Sequence, residues 1–178
     1  MMAMRVKVRL ITRFIFVWAL LTPLVGSTQA VNDSATVAES STLVGVRPKV
    51  EAQSKLPLRL PTFLPDTGGQ KIYALLRHVD ADSYDILLAT KVPCEGGNAC
   101  SYGTVQAQKS AFEVPEGKPT DVALGAGITG QFFPSECHVF CSEAYVRWRE
   151  NGTFYSIGVK AGRKAGLLRA VKSALAQH

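Results

Sequence analysis

Asn151-Gly152, set between two runs of alternating character, constrains this chain more than any other pair of residues. Both central residues of a type I′ turn need positive φ, and Asn-Gly tolerates that conformation best. A two-residue loop fixes the register of the strands it joins. It pairs Glu150 with Thr153, Trp148 with Tyr155, Val146 with Ile157 and Ala144 with Val159. Ala144, Val146, Trp148, Tyr155, Ile157 and Val159 then share one apolar face, and Arg147 and Arg149 fall on the other. A slip of one residue would bury arginines and expose Trp148, so the register is strongly specified. Trp148 opposite Tyr155 adds a cross-strand pair worth ~0.2–1 kcal/mol over Ala–Ala.

The rest of the chain supplies partners for that hairpin. Lys71 to His78 and Ser83 to Val92 alternate in polarity and are joined at Asp80-Ala81-Asp82, which predicts a second hairpin. A weaker strand is expected at Tyr102 to Gln108, another at Asp121 to Leu124 and a short one at Gln131 to Phe133. Arg163 to Gln177 has helical period, with Leu167, Leu168, Val171, Ala174 and Leu175 in one stripe. Gly166 weakens that helix by roughly 1 kcal/mol relative to Ala. A stripe of this width needs a surface, and the apolar face of the sheet is the available one. The expected class is α+β, an antiparallel sheet of about five strands with one C-terminal helix packed on one face.

The N-terminus reads as an export signal. Arg5, Lys7, Arg9 and Arg13 precede the apolar run Phe14 to Val25, and small and polar residues follow to Ala30. The run is short of the ~20 residues that span a bilayer as a helix. The expected organisation is a signal peptide at 1–30, a flexible leader at 31–56 and one disulfide-stabilised domain at 57–178. The leader is rich in Ser, Thr, Ala and Glu, with at most a short strand near Leu43 to Val46. Pro57, Pro61 and Pro65 then set an extended arm whose Leu58, Leu60 and Phe63 or Leu64 face the core.

Export sets the redox compartment, so Cys94, Cys100, Cys137 and Cys141 are expected to form disulfides. Four cysteines allow three pairings. The local one, 94–100 with 137–141, is favoured because each pair is close in sequence, although the crossed pairing would restrain the unfolded chain more. A zinc site needs tighter doublets than Cys-x5-Cys and Cys-x3-Cys, even with His138 as a nitrogen ligand. No Cys-x-x-Cys redox motif is present. No metal and no cofactor are expected.

Catalytic signals are weak. There is no Gly-x-Ser-x-Gly elbow. His138, with Glu136 or Glu143, is the candidate for a loop-built hydrolase site, and a cleft near 94–100 and 135–142 with convergent polar groups would favour it. Asp80, Asp82 and Asp85 do not make a calcium loop, since Asp85 stands where Gly is required and Lys91 where Glu is required. Gly125 to Gly130 is neither a P-loop nor a dinucleotide fingerprint.

Charge points to binding. The net charge of +6 falls to near +2 once the signal's four basic residues are removed, which excludes a strongly basic nucleic-acid binder. Residues 143–178 nevertheless carry seven Lys or Arg against Glu143 and Glu150. Arg147, Arg149, Lys160, Arg163 and Lys164 are the candidate face for an anionic partner in the cell envelope. The expected function is a periplasmic or secreted binding or accessory domain without catalysis. The alternatives are the small hydrolase and an envelope sensory module.

The combination of Leu60-Pro-Thr-Phe-Leu-Pro65, the Trp148 to Ile157 hairpin and a closing helix with Leu167, Leu168 and Ala174 resembles uncharacterised bacterial extracytoplasmic domains, some attached to anti-sigma factors or envelope lipoproteins. The resemblance implies a sheet-and-helix fold and an extracytoplasmic compartment. The cysteine loops are not part of that pattern, and no site residues transfer from it.

Overall fold

The computed structural model describes residues 40–65, 67–113 and 118–177. The signal assigned to 1–30 and the first part of the leader, 31–39, lie outside the described residues. Two short helices, α1 (Ser40–Val44) and α2 (Arg47–Gln53), lead into the extended arm. Seven strands follow: β1 (Tyr73–Val79), β2 (Ser83–Ala89), β3 (Ser101–Gln108), β4 (Thr120–Gly125), β5 (Ile128–Phe133), β6 (Glu143–Glu150) and β7 (Thr153–Lys160). Helix α3 (Lys164–Leu175) closes the chain.

All strands belong to one antiparallel sheet, ordered β1-β2-β3-β7-β6-β5-β4. The chain runs through three strands, crosses to the far edge, and returns through four more until β7 pairs with β3. The α+β class holds, but the sheet has seven strands where about five were expected. The segments expected at Asp121 to Leu124 and Gln131 to Phe133 both join the sheet, as β4 and β5, and β5 begins three residues earlier, at Ile128. Ala126 and Gly127 turn between them with φ of 50° and 75°, nearly the values of Asn151 and Gly152 at 49° and 76°. The same turn type is thus made with alanine in the first position, and alanine carries no turn signal.

The β6–β7 register is the one that Asn151-Gly152 dictates, with Glu150 opposite Thr153, Trp148 opposite Tyr155, Val146 opposite Ile157 and Ala144 opposite Val159. Trp148 and Tyr155 stack with ring centroids 5.1 Å apart. Their face is covered by α3, which packs on β4, β6 and β7 and buries Leu167, Ala170, Val171 and Ala174. The arm covers the same core with Leu56, Leu60 and Leu64. Tyr102 sits at a β-bulge against β2, and its hydroxyl donates to the Pro65 carbonyl. Arg59 turns out of the arm to make a two-pronged ion pair with Glu150, at 2.7 and 3.0 Å, and also donates to the Gln177 carbonyl at 2.7 Å. One side chain therefore ties the arm, the central hairpin and the end of α3 together.

The leader requires a correction. Residues 40–44 and 47–53 are helical, and Leu43, Val46 and Val50 are buried in the core, so the folded unit begins before Pro57. The spacing of three and four residues is helical, but helices of five and seven residues have no stability of their own. Burial holds them, with Thr42 donating to the Ile72 carbonyl and Arg47 to the Gln177 side chain. At the β1–β2 turn Asp80 accepts from the Asp82 amide and the Ser83 hydroxyl, the ordinary turn role of aspartate. With His78 as the strongest influence, these bonds hold its carboxyl down at about 2.

Candidate functional site

The sheet has a second face, which α3 leaves uncovered, and a distinct end, where both cysteine loops sit. β2 ends, β3 begins, β5 ends, β6 begins and β7 ends at this one edge of the molecule. The Cys94–Cys100 disulfide closes the β2–β3 connection and the Cys137–Cys141 disulfide closes the β5–β6 connection. No described cysteine is free. These are the two local pairs.

Small loops tied in this way cannot fold their apolar residues back onto the core. Val139 is 87% exposed and Phe140 64% exposed, both inside the Cys137–Cys141 ring, and Val92 is 57% exposed beside Cys94. Of the large apolar side chains that stand exposed among the described residues, only Val44 lies elsewhere. Lys91, Arg163 and Lys164 stand exposed at the same end, with Glu95 and Glu136.

Behind the loops, on the uncovered face, lies a polar cluster. Glu143, the first residue of β6, accepts from the Thr104 hydroxyl at 2.8 Å. Arg77 pairs with Asp85 at 2.8 Å and lies beneath Gly96, while Lys160 donates to the Asn98 carbonyl. The 94–100 loop therefore leans over this face. Burial pushes the Glu143 carboxyl up, against the Thr104 bond and the nearby Arg77 and Lys160 charges, with Asp85 adding to the rise. A raised folded-state value means that the ionised form is penalised by folding. The penalty is absent below the ordinary glutamate range, grows as pH rises from that range through the raised value, and is constant above it. Glu143→Gln keeps an acceptor for Thr104 and removes the penalty. Its melting temperature should exceed that of the natural protein at neutral pH and converge on it as pH falls to about 4. Equal melting temperatures from about pH 4 to about pH 8 would contradict this account of Glu143.

Among the described residues, no hydrogen bond or ion pair joins His138 to Glu136 or Glu143, the candidates for the alternative hydrolase site. The His138 side chain makes no hydrogen bond with another described residue, and its loop is exposed. Glu143 turns to Thr104 instead. Among the described residues no group of three or more His, Cys, Asp or Glu is placed to hold a metal ion.

The five cations expected on one face are divided. Arg147 and Arg149 lie on the uncovered face along β6, and Lys160, opposite Glu143, shares that face under the 94–100 loop, whereas Arg163 and Lys164 open α3 at the disulfide end. Arg147 is half-buried, its guanidinium carbon 4.7 Å from the Tyr145 ring centroid, 4.9 Å from that of Phe112 and 5.5 Å from that of Phe133. Alternation correctly put Arg147 opposite the core, but Phe112 arrives from the β3–β4 crossover, which no periodicity reveals. Arg149 is exposed and lies over Phe154 at 5.2 Å. Comparison of the chain with protein-family models, with curated proteins and with solved structures found no match.

Proposed function

We propose that this protein is an exported binding domain, periplasmic or secreted and without catalysis, that docks by its disulfide end onto an anionic surface of the cell envelope. The observation that carries the reading is the outward presentation of Val139 and Phe140 by a ring closed at Cys137 and Cys141. Exposed apolar groups clustered at one end mark an interaction surface rather than a scattered accident of folding. Val92 extends the cluster across the end of the sheet, and Lys91, Arg163 and Lys164 outnumber Glu95 and Glu136 there. Apolar tips with cations behind them suit the boundary between lipid headgroups and acyl chains. No helix among the described residues is long and apolar enough to cross a membrane. Two disulfides accord with an oxidising compartment.

Co-sedimentation of the protein lacking residues 1–30 with phosphatidylglycerol-containing and pure phosphatidylcholine vesicles tests this. Binding should favour the anionic vesicles and fall as salt is raised. Phe140→Ser should lower it about tenfold or more, since withdrawing a buried phenylalanine from an apolar phase costs ~1.5–3 kcal/mol. Paired Arg163→Gln and Lys164→Gln substitutions should weaken anionic binding by a similar factor, at ~1 kcal/mol per cation. Indifference to lipid charge, or full binding by Phe140→Ser, removes the proposal.

A further inference from the structure

A cleft of about 500 Å³ opens on the uncovered face of the sheet, away from the disulfide end, between β5, β6 and the first residues of the crossover. Phe112, Phe133 and Phe154 give it apolar walls, and Arg147 and Arg149 give it charge. Gln131 adds a neutral amide. No acidic side chain of the described residues lines it.

Arg147 is the unusual member. Its Nη1 donates to the Glu113 carbonyl, but its Nε is buried with no hydrogen-bond partner among the described residues. No described carboxylate forms an ion pair with it. Burial depresses its pKa, although a guanidinium keeps its proton in proteins. The three rings around it offset part of the desolvation. They supply no counter-charge. A cation held in an aromatic cleft with no described acid beside it has its positive charge to offer to a ligand. Arg149 stands one turn of the strand pleat away on the same face, with its guanidinium free of any described carboxylate.

We propose that this cleft binds an amphipathic monoanion, an acyl or aryl carboxylate. Its carboxylate takes charge-assisted hydrogen bonds from Arg147 and Arg149, and its apolar body lies against Phe154, Phe112 and Phe133. The volume lies within the range of small-molecule sites, which are mostly apolar with a few placed polar groups. Guanidinium forks match carboxylate geometry better than ammonium groups do.

The probes are octanoate, octanol and acetate, each titrated below micelle concentrations into ¹⁵N-labelled protein lacking residues 1–30. Octanoate should shift the amides of residues 129–131, 147–149 and 154 and bind at least about tenfold more tightly than octanol, because a hydrogen bond to a charged group is worth that factor or more. Acetate, lacking the apolar body, should bind at least about tenfold more weakly than octanoate. Arg149→Gln, at an exposed position with no described ion pair, should reduce octanoate affinity about tenfold, and Phe154→Ala should do the same. Arg147→Lys, which keeps the charge and most of the packing, should retain weakened binding. Equal affinity for octanoate and octanol overturns the proposal, as does full affinity in Arg149→Gln. Shifts confined to residues 89–101 and 134–142 would place the ligand at the docking end and overturn it too, whatever the vesicle result.

Discussion

Leu167→Ala is expected to lower the stability of the domain by about 3 kcal/mol, within the 2–5 kcal/mol that leucine truncations cost in well-packed cores. Leu167 is 0% exposed and stands at the first turn of α3. Its Cδ1 lies 3.2 Å from where a Cβ on Gly162 would be, so the turn leaving β7 is packed onto it. That turn cannot collapse into the space left, because Gly162 donates its amide to the Val159 carbonyl and Ala161 to that of Ser142. Part of the cost is therefore an unfilled cavity. Leu168→Ala, one position round the helix and half-buried, should cost about 1 kcal/mol. Urea denaturation midpoints at an unchanged m-value measure both. If the two substitutions cost the same, α3 does not cover the sheet as described.

Gly103→Ala is expected to cost about 3 kcal/mol or more and to lower the yield of folded protein, at the upper end of what overpacking does. Gly103 follows Tyr102 at the β-bulge and pairs with Val159 of β7. A Cβ there would stand 2.2 Å from the Gly158 carbonyl oxygen and 3.1 Å from the Val159 Cα. These are backbone atoms of the central strand pair, so no rotamer change relieves the contact. One strand must move off the other, which would break the ladder joining the first three strands to the last four. Gly97→Ala, in the 94–100 loop with open space around its Cβ, is the control and should be nearly neutral. Thermal melts of the two variants separate a steric clash from a general sensitivity to glycine replacement.

How much of this was legible in the sequence follows from the range of each signal. The β6–β7 hairpin was readable residue by residue, because a two-residue turn and a period of two leave no freedom of register. The stripe of α3 was readable for the same kind of reason, as five apolar residues repeat over several turns. The helices holding Leu43, Val46 and Val50 were not, since so short a pattern is indistinguishable from a polar leader until its burial is seen. The strands on either side of Ala126 were expected, but not their tight pairing through Ala126-Gly127, since an alanine at positive φ carries no turn signal. At the candidate sites, local sequence spacing favoured the disulfide pairs, but the exposed pair Val139-Phe140 was not read, because nothing in two apolar residues inside a cysteine loop says that they face outward. The cage around Arg147 was out of reach. Its rings come from Phe112, Phe133 and Tyr145, which meet only when the crossover lies over β5 and β6.

The docking proposal fixes the orientation of the molecule, and orientation can be measured. The protein lacking residues 1–30, carrying ¹⁹F-labelled phenylalanine, is mixed with anionic vesicles containing a nitroxide-headgroup lipid. Paramagnetic broadening decays steeply with distance, so the phenylalanine nearest the bilayer is affected first. The Phe140 resonance, assigned through Phe140→Ser, should broaden at the lowest vesicle concentration, while those of Phe112 and Phe154 broaden later or not at all. Broadening of Phe112 and Phe154 ahead of Phe140 would contradict the docking proposal, and so would an unbroadened Phe140 on protein that sediments with the vesicles.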